Sequence, residues 1–266
     1  MEILTPILVL GIMGLVFGAL LGVAAKAFRV EKDERIEQVQ ELLAGANCGG
    51  CGYAGCSAFA EAVVTRGVNP AGCPSTKKEN MDKIAEVMGI TVEEGEKLVA
   101  KVLCSGTCEK ATNKYQYDGI TDCVAVYRFG GGEKACLYGC TGYGSCVRAC
   151  PFDAIHIVDG VAHVDAEKCK GCGICVATCP KRIIELIPAK QRTFVMCRSK
   201  EKGVVIKDIC KAGCIGCKLC EKNCPKDAVH VLDNIAKIDY DKCVNCGICA
   251  SKCPKQVIEY HKRGEA

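Results

Sequence analysis

Hydrophobic residues fill the start of the chain without interruption. Ile3 to Ala25 is 23 residues with no charge, about 35 Å as a helix at about 1.5 Å per residue, enough to cross a bilayer. Only Met1 and Glu2 precede it, where a secretory signal carries positive charge, so the pattern predicts an uncleaved anchor; a signal cleaved near Ala24 and Ala25 is the alternative. Lys26, Arg29 and Lys32 follow, and the positive-inside rule then keeps everything downstream in the cytoplasm. Gly14, Gly18 and Gly22 recur every fourth residue, giving one helix face on which a membrane partner can pack closely, although glycine is common in membrane helices generally.

Beyond the anchor the pattern changes period. EKDERIEQVQE, from Glu31, alternates charge and apolar residues as a solvated amphipathic helix. A cysteine- and glycine-rich segment with a helical stretch follows, then short helix and strand material around Gly89. The carboxy-terminal half contains a repeat: AIHIVDGVAHVDAEKCKGCGICVATCPKRIIEL from Ala154 aligns without a gap on AVHVLDNIAKIDYDKCVNCGICASKCPKQVIEY from Ala228. Each copy opens on apolar alternation broken by a turn pair, Asp159-Gly160 or Asp233-Asn234, which predicts a β-hairpin. His156 and His230 fall at matching strand positions and read as exposed strand residues. The expected fold is α+β: an anchor (1–27), a small, mostly helical four-cysteine domain (28–100), a first ferredoxin-like module with an amino-terminal extension (101–190), an inserted connector (191–212) and a second module (213–266).

Composition sharpens this picture through one residue type. Cysteine occurs 25 times in 266 residues, with no Trp. Disulfide scaffolds are short and secreted, and an odd count leaves a thiol over. On the cytoplasmic side, metal chemistry is the better use for these thiols.

Three runs have bacterial ferredoxin spacing, C-x2-C-x2-C-x3-C-P: from Cys169, from Cys214 and from Cys243. Three closely spaced thiolates hold one [4Fe-4S] cubane, and the fourth cysteine, before proline, ligates the other cluster of the pair. Zinc sites use two separated ligand pairs instead. Cys224 and Cys253 lie 29 residues apart, and Cys150 stands at that same distance before Cys179. CLYGCTGYGSCVRACP, from Cys136, therefore reads as the first run of a module whose loop has grown by four residues, with a separate zinc site as the alternative.

Crossed ligation predicts four sets: Cys136, Cys140, Cys146 with Cys179; Cys169, Cys172, Cys175 with Cys150; Cys214, Cys217, Cys220 with Cys253; and Cys243, Cys246, Cys249 with Cys224. A fifth set is Cys48, Cys51, Cys56 and Cys73, whose glycine surroundings leave room for backbone amides to donate to sulfur; zinc is the rival there. Of the five cysteines left, Cys104, Cys123, Cys197 and Cys210 form a candidate sixth site and Cys108 stands apart. Buried free thiols are the alternative reading.

The anchor, then NCGGCGYAGCSAFAEAVV with the distal Cys73, then the ferredoxin runs, resemble the B subunits of Rnf electron-transport complexes over nearly the whole length, in the longer, clostridial-type form with two modules. The departure from that pattern is the stretch from Cys104 to Cys150. The resemblance implies a membrane-bound subunit that accepts electrons from soluble reduced ferredoxin within a complex that passes them to NAD and moves Na⁺ or H⁺. The electron-transfer subunit of a membrane hydrogenase or formate dehydrogenase, and a zinc-binding membrane adaptor, are the competing readings.

The chain shows no dinucleotide fingerprint, since Gly130 to Gly132 have the wrong spacing, and no catalytic base or triad. Hydride chemistry therefore belongs on another subunit. The formal charge of +4 gives no case for nucleic acid, because five thiolate-ligated clusters at about −2 each bring the total to about −6. Lys218, Lys222, Lys226, Lys242, Lys252 and Lys255 surround the last two runs, and an acidic ferredoxin is the expected partner for them.

Overall fold

The structure, a computed structural model, describes residues 4–27, 33–91 and 96–262. Arg29 and Lys32, two of the charges expected to orient the anchor, lie outside the described residues. Helix α1, Leu4–Ala27, is long and apolar enough to cross a membrane, with a mean hydropathy of 2.6 over Ile7–Ala24. Its side chains from Ile7 to Val23 are exposed, and an added Cβ at Gly14, Gly18 or Gly22 meets nothing within 4 Å.

A small helical unit follows. α2, Glu34–Leu42, starts on Asp33, whose carboxylate accepts the Arg35 amide at 3.0 Å. α3, Cys56–Arg66, and α4, Lys78–Met88, each end on a left-handed glycine, Gly67 and Gly89. Val39, Phe59, Val63 and Ile84 form the core between them. Full burial of each such side chain contributes about 1.5–3 kcal/mol.

The next unit contains β1 (Leu98–Val102), α5 (Cys123–Arg128), α6 (Ser145–Ala149), β2 (Ile155–Val158), β3 (Val161–Val164), α7 (Ile174–Thr178) and β4 (Ile184–Pro188). β2 and β3 form the expected hairpin, turned by Asp159 and Gly160, both at positive φ. β1 pairs antiparallel with β4, Leu98 opposite Pro188 and Val102 opposite Ile184. It thus closes the module from upstream and straddles residue 100.

The last unit repeats the plan with β5 (Thr193–Val195), α8 (Gly203–Ile209), α9 (Leu219–Lys222), β6 (Val229–Leu232), β7 (Ile235–Ile238), α10 (Ile248–Ser251) and β8 (Ile258–Tyr260). β6 and β7 are its hairpin, and β5 pairs with β8 as β1 does with β4. Residues expected as an inserted connector therefore supply this module's closing strand. The two modules meet through buried Leu103, Ile187, Phe194 and Met196. The Ser105 amide donates to the Met196 carbonyl at 3.1 Å, Arg198 pairs with Glu185, and the Lys101 ammonium lies 4.6 Å from the Phe194 ring centroid.

Candidate iron-sulfur sites

Each cysteine run is a tight loop leading into a short helix, so successive thiols turn inward around one point. The proline-linked cysteine at the helix end points to the other loop. In the last module Cys214, Cys217, Cys220 and Cys253 line one cavity of about 340 Å³, and Cys224, Cys243, Cys246 and Cys249 line another of about 310 Å³. In the first module Cys150, Cys169, Cys172 and Cys175 line a cavity of about 310 Å³. These three groupings are the crossed sets expected from the spacing.

The fourth grouping differs. Cys140, Cys146 and Cys179 share a cavity of about 360 Å³ with Cys123, not with Cys136. The reason lies in the register of the repeat. Cys140 and Cys214 are 74 residues apart, as are Cys146 and Cys220, Cys150 and Cys224, and Cys136 and Cys210. The loop has therefore not grown: it has normal ferredoxin length, with Tyr143 at the place of Cys217. Gly142 and Gly216 occupy equivalent turns at positive φ, and a Cβ on Gly142 would stand 2.7 Å from the Gly160 carbonyl oxygen.

Cys123 is held at that missing corner by a polar brace. Asp122 caps α5 by accepting from the Val124 and Ala125 amides. Its other oxygen accepts from the Ser145 hydroxyl at 2.7 Å and from the Arg148 guanidinium at 2.8 Å. Ser145 in turn accepts the Cys123 amide at 2.9 Å. Burial pushes the Cys123 thiol up, but hydrogen bonds from Ser145, Thr141 and nearby amides outweigh it and leave the thiol below its ordinary value.

Cys136 instead lines a separate cavity of about 400 Å³ between the modules, together with Cys104, Cys197 and Cys210. The expected sixth set thus keeps three of its members and exchanges Cys123 for Cys136. Cys108 is exposed and lines none of these cavities.

In the helical unit Cys48, Cys51, Cys56 and Cys73 come from one loop, the α3 amino terminus and the turn before α4. Asn47 accepts the Cys56 amide at 2.8 Å, and Thr76 donates to the Cys73 sulfur at 3.1 Å. Gly50 rests on the first module: a Cβ there would lie 2.8 Å from the Cys172 carbonyl oxygen and 2.9 Å from its Cα.

The donor sets fit cubanes. Each of these cavities presents four cysteine thiols in an otherwise mainly apolar lining. Burial, with neighbouring thiolates adding to it, pushes the Cys146 and Cys175 thiols up to about 12. Burial likewise raises Cys197 to about 12, and Cys220 and Cys249 to about 11. Bare thiolates are disfavoured in these cavities, and a cationic iron core compensates them. Amides add hydrogen bonds to sulfur, from Ala100 to Cys169 at 3.4 Å and from Ala228 to Cys224 at 3.3 Å. Such bonds are a lever on cluster potential.

Fold and sites together define a polyferredoxin-type protein, a string of [4Fe-4S] ligand loops behind an apolar helix. Family models agree: two 4Fe-4S dicluster domain models match residues 132–180, 168–228 and 213–257, and an Fe-S cluster model matches residues 43–75. The chain is 46% identical, over 90% of its length and 72% of the relative's, to the B subunit of the Na⁺-translocating ferredoxin:NAD⁺ oxidoreductase complex of Acetobacterium woodii. It is 45% identical to the B subunit of the proton-translocating ferredoxin:NAD⁺ oxidoreductase complex of Clostridium ljungdahlii, covering 88% of this chain and 83% of that one. Identity to the B subunit of the ion-translocating oxidoreductase complex of Methanosarcina acetivorans is 40%, covering 90% and 91%. The chain belongs to the family of B subunits of Rnf-type ion-translocating oxidoreductase complexes.

Proposed function

We propose that this chain is the electron-transfer subunit of an ion-translocating ferredoxin:NAD oxidoreductase, anchored by α1 with its soluble part on the cytoplasmic side. The observation that carries the reading is the set of crossed four-cysteine cavities in the ferredoxin-like modules. When bound there, [4Fe-4S] clusters supply one-electron redox chemistry. The protein's own part is to fix the spacing, donate amide hydrogen bonds to sulfur and exclude water. Hydride transfer to NAD is assigned to a flavin-bearing partner subunit.

The ligand sets are Cys48, Cys51, Cys56, Cys73; Cys150, Cys169, Cys172, Cys175; Cys214, Cys217, Cys220, Cys253; and Cys224, Cys243, Cys246, Cys249; with Cys140, Cys146 and Cys179 in a further set. Contacts support a linear order. The helical unit meets the first module at Gly50 and Cys172, while Cys217 and Cys246 of the last module are exposed. Lys218, Lys222, Lys226, Lys242 and Lys252 are exposed around them and Lys255 is half-buried. Reduced, acidic ferredoxin is proposed to dock there, and the membrane-proximal site is the exit.

Iron, acid-labile sulfide and zinc analysis with EPR on the anaerobically purified chain tests the reading. At least about 20 irons per chain with matching sulfide are expected from the five sets the sequence defines. A zinc content above that of iron overturns it.

A further inference from the structure

The cavity between the modules belongs to no ferredoxin run, yet it has the same construction as those that do. Cys104 follows β1 by two residues and Cys197 follows β5 by two. Cys136 stands four residues before Cys140, and Cys210 four residues before Cys214. Each module therefore contributes the same two positions. The hydrogen bonds repeat as well: the Cys140 amide donates to the Cys104 sulfur at 3.5 Å, and the Cys214 amide to the Cys197 sulfur at 3.4 Å. Four thiols from four separate chain segments thus line one cavity, two from equivalent positions of each module.

The rest of the lining suits an anionic guest. Lys134 is buried at 4% exposure, and its ammonium donates to the Gly106 carbonyl at 2.7 Å and the Gly160 carbonyl at 2.8 Å. A fixed cation at the wall favours a cluster that carries net negative charge with its four thiolates.

We infer that Cys104, Cys136, Cys197 and Cys210 hold a sixth [4Fe-4S] cluster that joins the two modules, and that Cys123 takes the corner of the Cys140, Cys146 and Cys179 site left open by Tyr143. The inference rests on the iron-sulfur reading above. The Cys104 ligand of the bridging site is one hydrogen bond from Cys140 of the first module, and the Cys197 ligand is one hydrogen bond from Cys214 of the second. An electron from a low-potential one-electron donor enters this site from one module and leaves to the other, with no bond made or broken and no proton moved. Twenty-four of the 25 cysteines then have a cluster, and Cys108 alone is free.

Two double variants of the full chain separate this assignment from the one read off the sequence. Cys104→Ala with Cys136→Ala removes two ligands from one site here, and Cys104→Ala with Cys123→Ala removes one from each of two. Anaerobic preparations are expected to hold about 24 irons in wild type, about 20 in the first variant and about 16 in the second. Reversed values for the two variants, or about 20 irons in wild type, overturn the inference. Should either variant fold poorly, the wild-type count with EPR spin quantification of the fully reduced chain still decides the number of sites. A Cys246→Ser control isolates the underlying reading: if it keeps all its iron, the general assignment of the runs fails, whereas a loss of about four irons there with about 20 in wild type defeats the sixth site only.

Discussion

Cys150 ends its own run but lines the cavity of Cys169, Cys172 and Cys175. Cys150→Ser is therefore expected to remove the EPR signal of that site while the Cys140 and Cys146 site keeps its own; loss in the reverse sense refutes the crossed assignment. Asp122 supports Cys123 without touching the cavity, so Asp122→Ala is expected to leave the iron count intact but speed iron release to a chelator severalfold, from one site of the chain. An unchanged rate would remove Asp122 from the support of that corner. The buried thiols give a pH dependence. The fold raises Cys146 and Cys175 to about 12, so their neutral form is the stable one in the metal-free chain, and cluster insertion must expel their protons. Each unit of acidification raises the cost by about 1.36 kcal/mol per proton. Reconstitution should slow from about pH 8 to about pH 6 and release protons to the medium; pH-independent assembly contradicts this. At this scale the regular runs were legible because crossed ligation depends on local spacing alone. Cys123 was not, because it replaces the Tyr143 corner from 20 residues upstream in sequence, and the constant 74-residue offset reaching back to Cys136 was the signal that exposes it.

The hairpins were readable from Asp159-Gly160 and Asp233-Asn234, because a tight turn needs positive φ at adjacent residues. The closing strands β1 and β5 were not, since their partners β4 and β8 lie some 60 to 90 residues away and pairing at that distance leaves no local pattern. Hence the connector read as an insertion although it completes the second module. Two elements carry predictions. Gly50→Ala places a methyl group against the Cys172 backbone and is expected to loosen the helical unit, seen as faster hydrogen exchange in residues 48–56 with the module clusters retained. Unchanged exchange would show that the contact is not needed for docking. On α1, Gly18→Leu should still insert but reduce co-purification of partner subunits, because Leu is apolar but too bulky for close helix contact. An undiminished yield returns Gly14, Gly18 and Gly22 to ordinary membrane-helix composition.

At the scale of the molecule, the proposed order of the sites runs from the unit behind the apolar helix to the last module, where Lys218, Lys222, Lys226, Lys242 and Lys252 are exposed. If the proposed acidic ferredoxin docks there, exposed cations steer its encounter more than they hold it, and the effect fades as salt screens it. Lys218→Glu with Lys222→Glu is expected to slow reduction by ferredoxin at low ionic strength and to flatten its salt dependence. If rate and salt dependence both survive, ferredoxin enters elsewhere and the helical unit is no longer favoured as the exit. The most direct measurement of the central claim is an anaerobic titration of the wild-type chain with reduced ferredoxin, followed by loss of the iron-sulfur absorbance and by EPR. A one-electron chain predicts uptake in single-electron steps, approaching about one electron per cubane for those sites whose potentials ferredoxin can reach. A chain that remains colourless, binds zinc and takes up no electrons contradicts it.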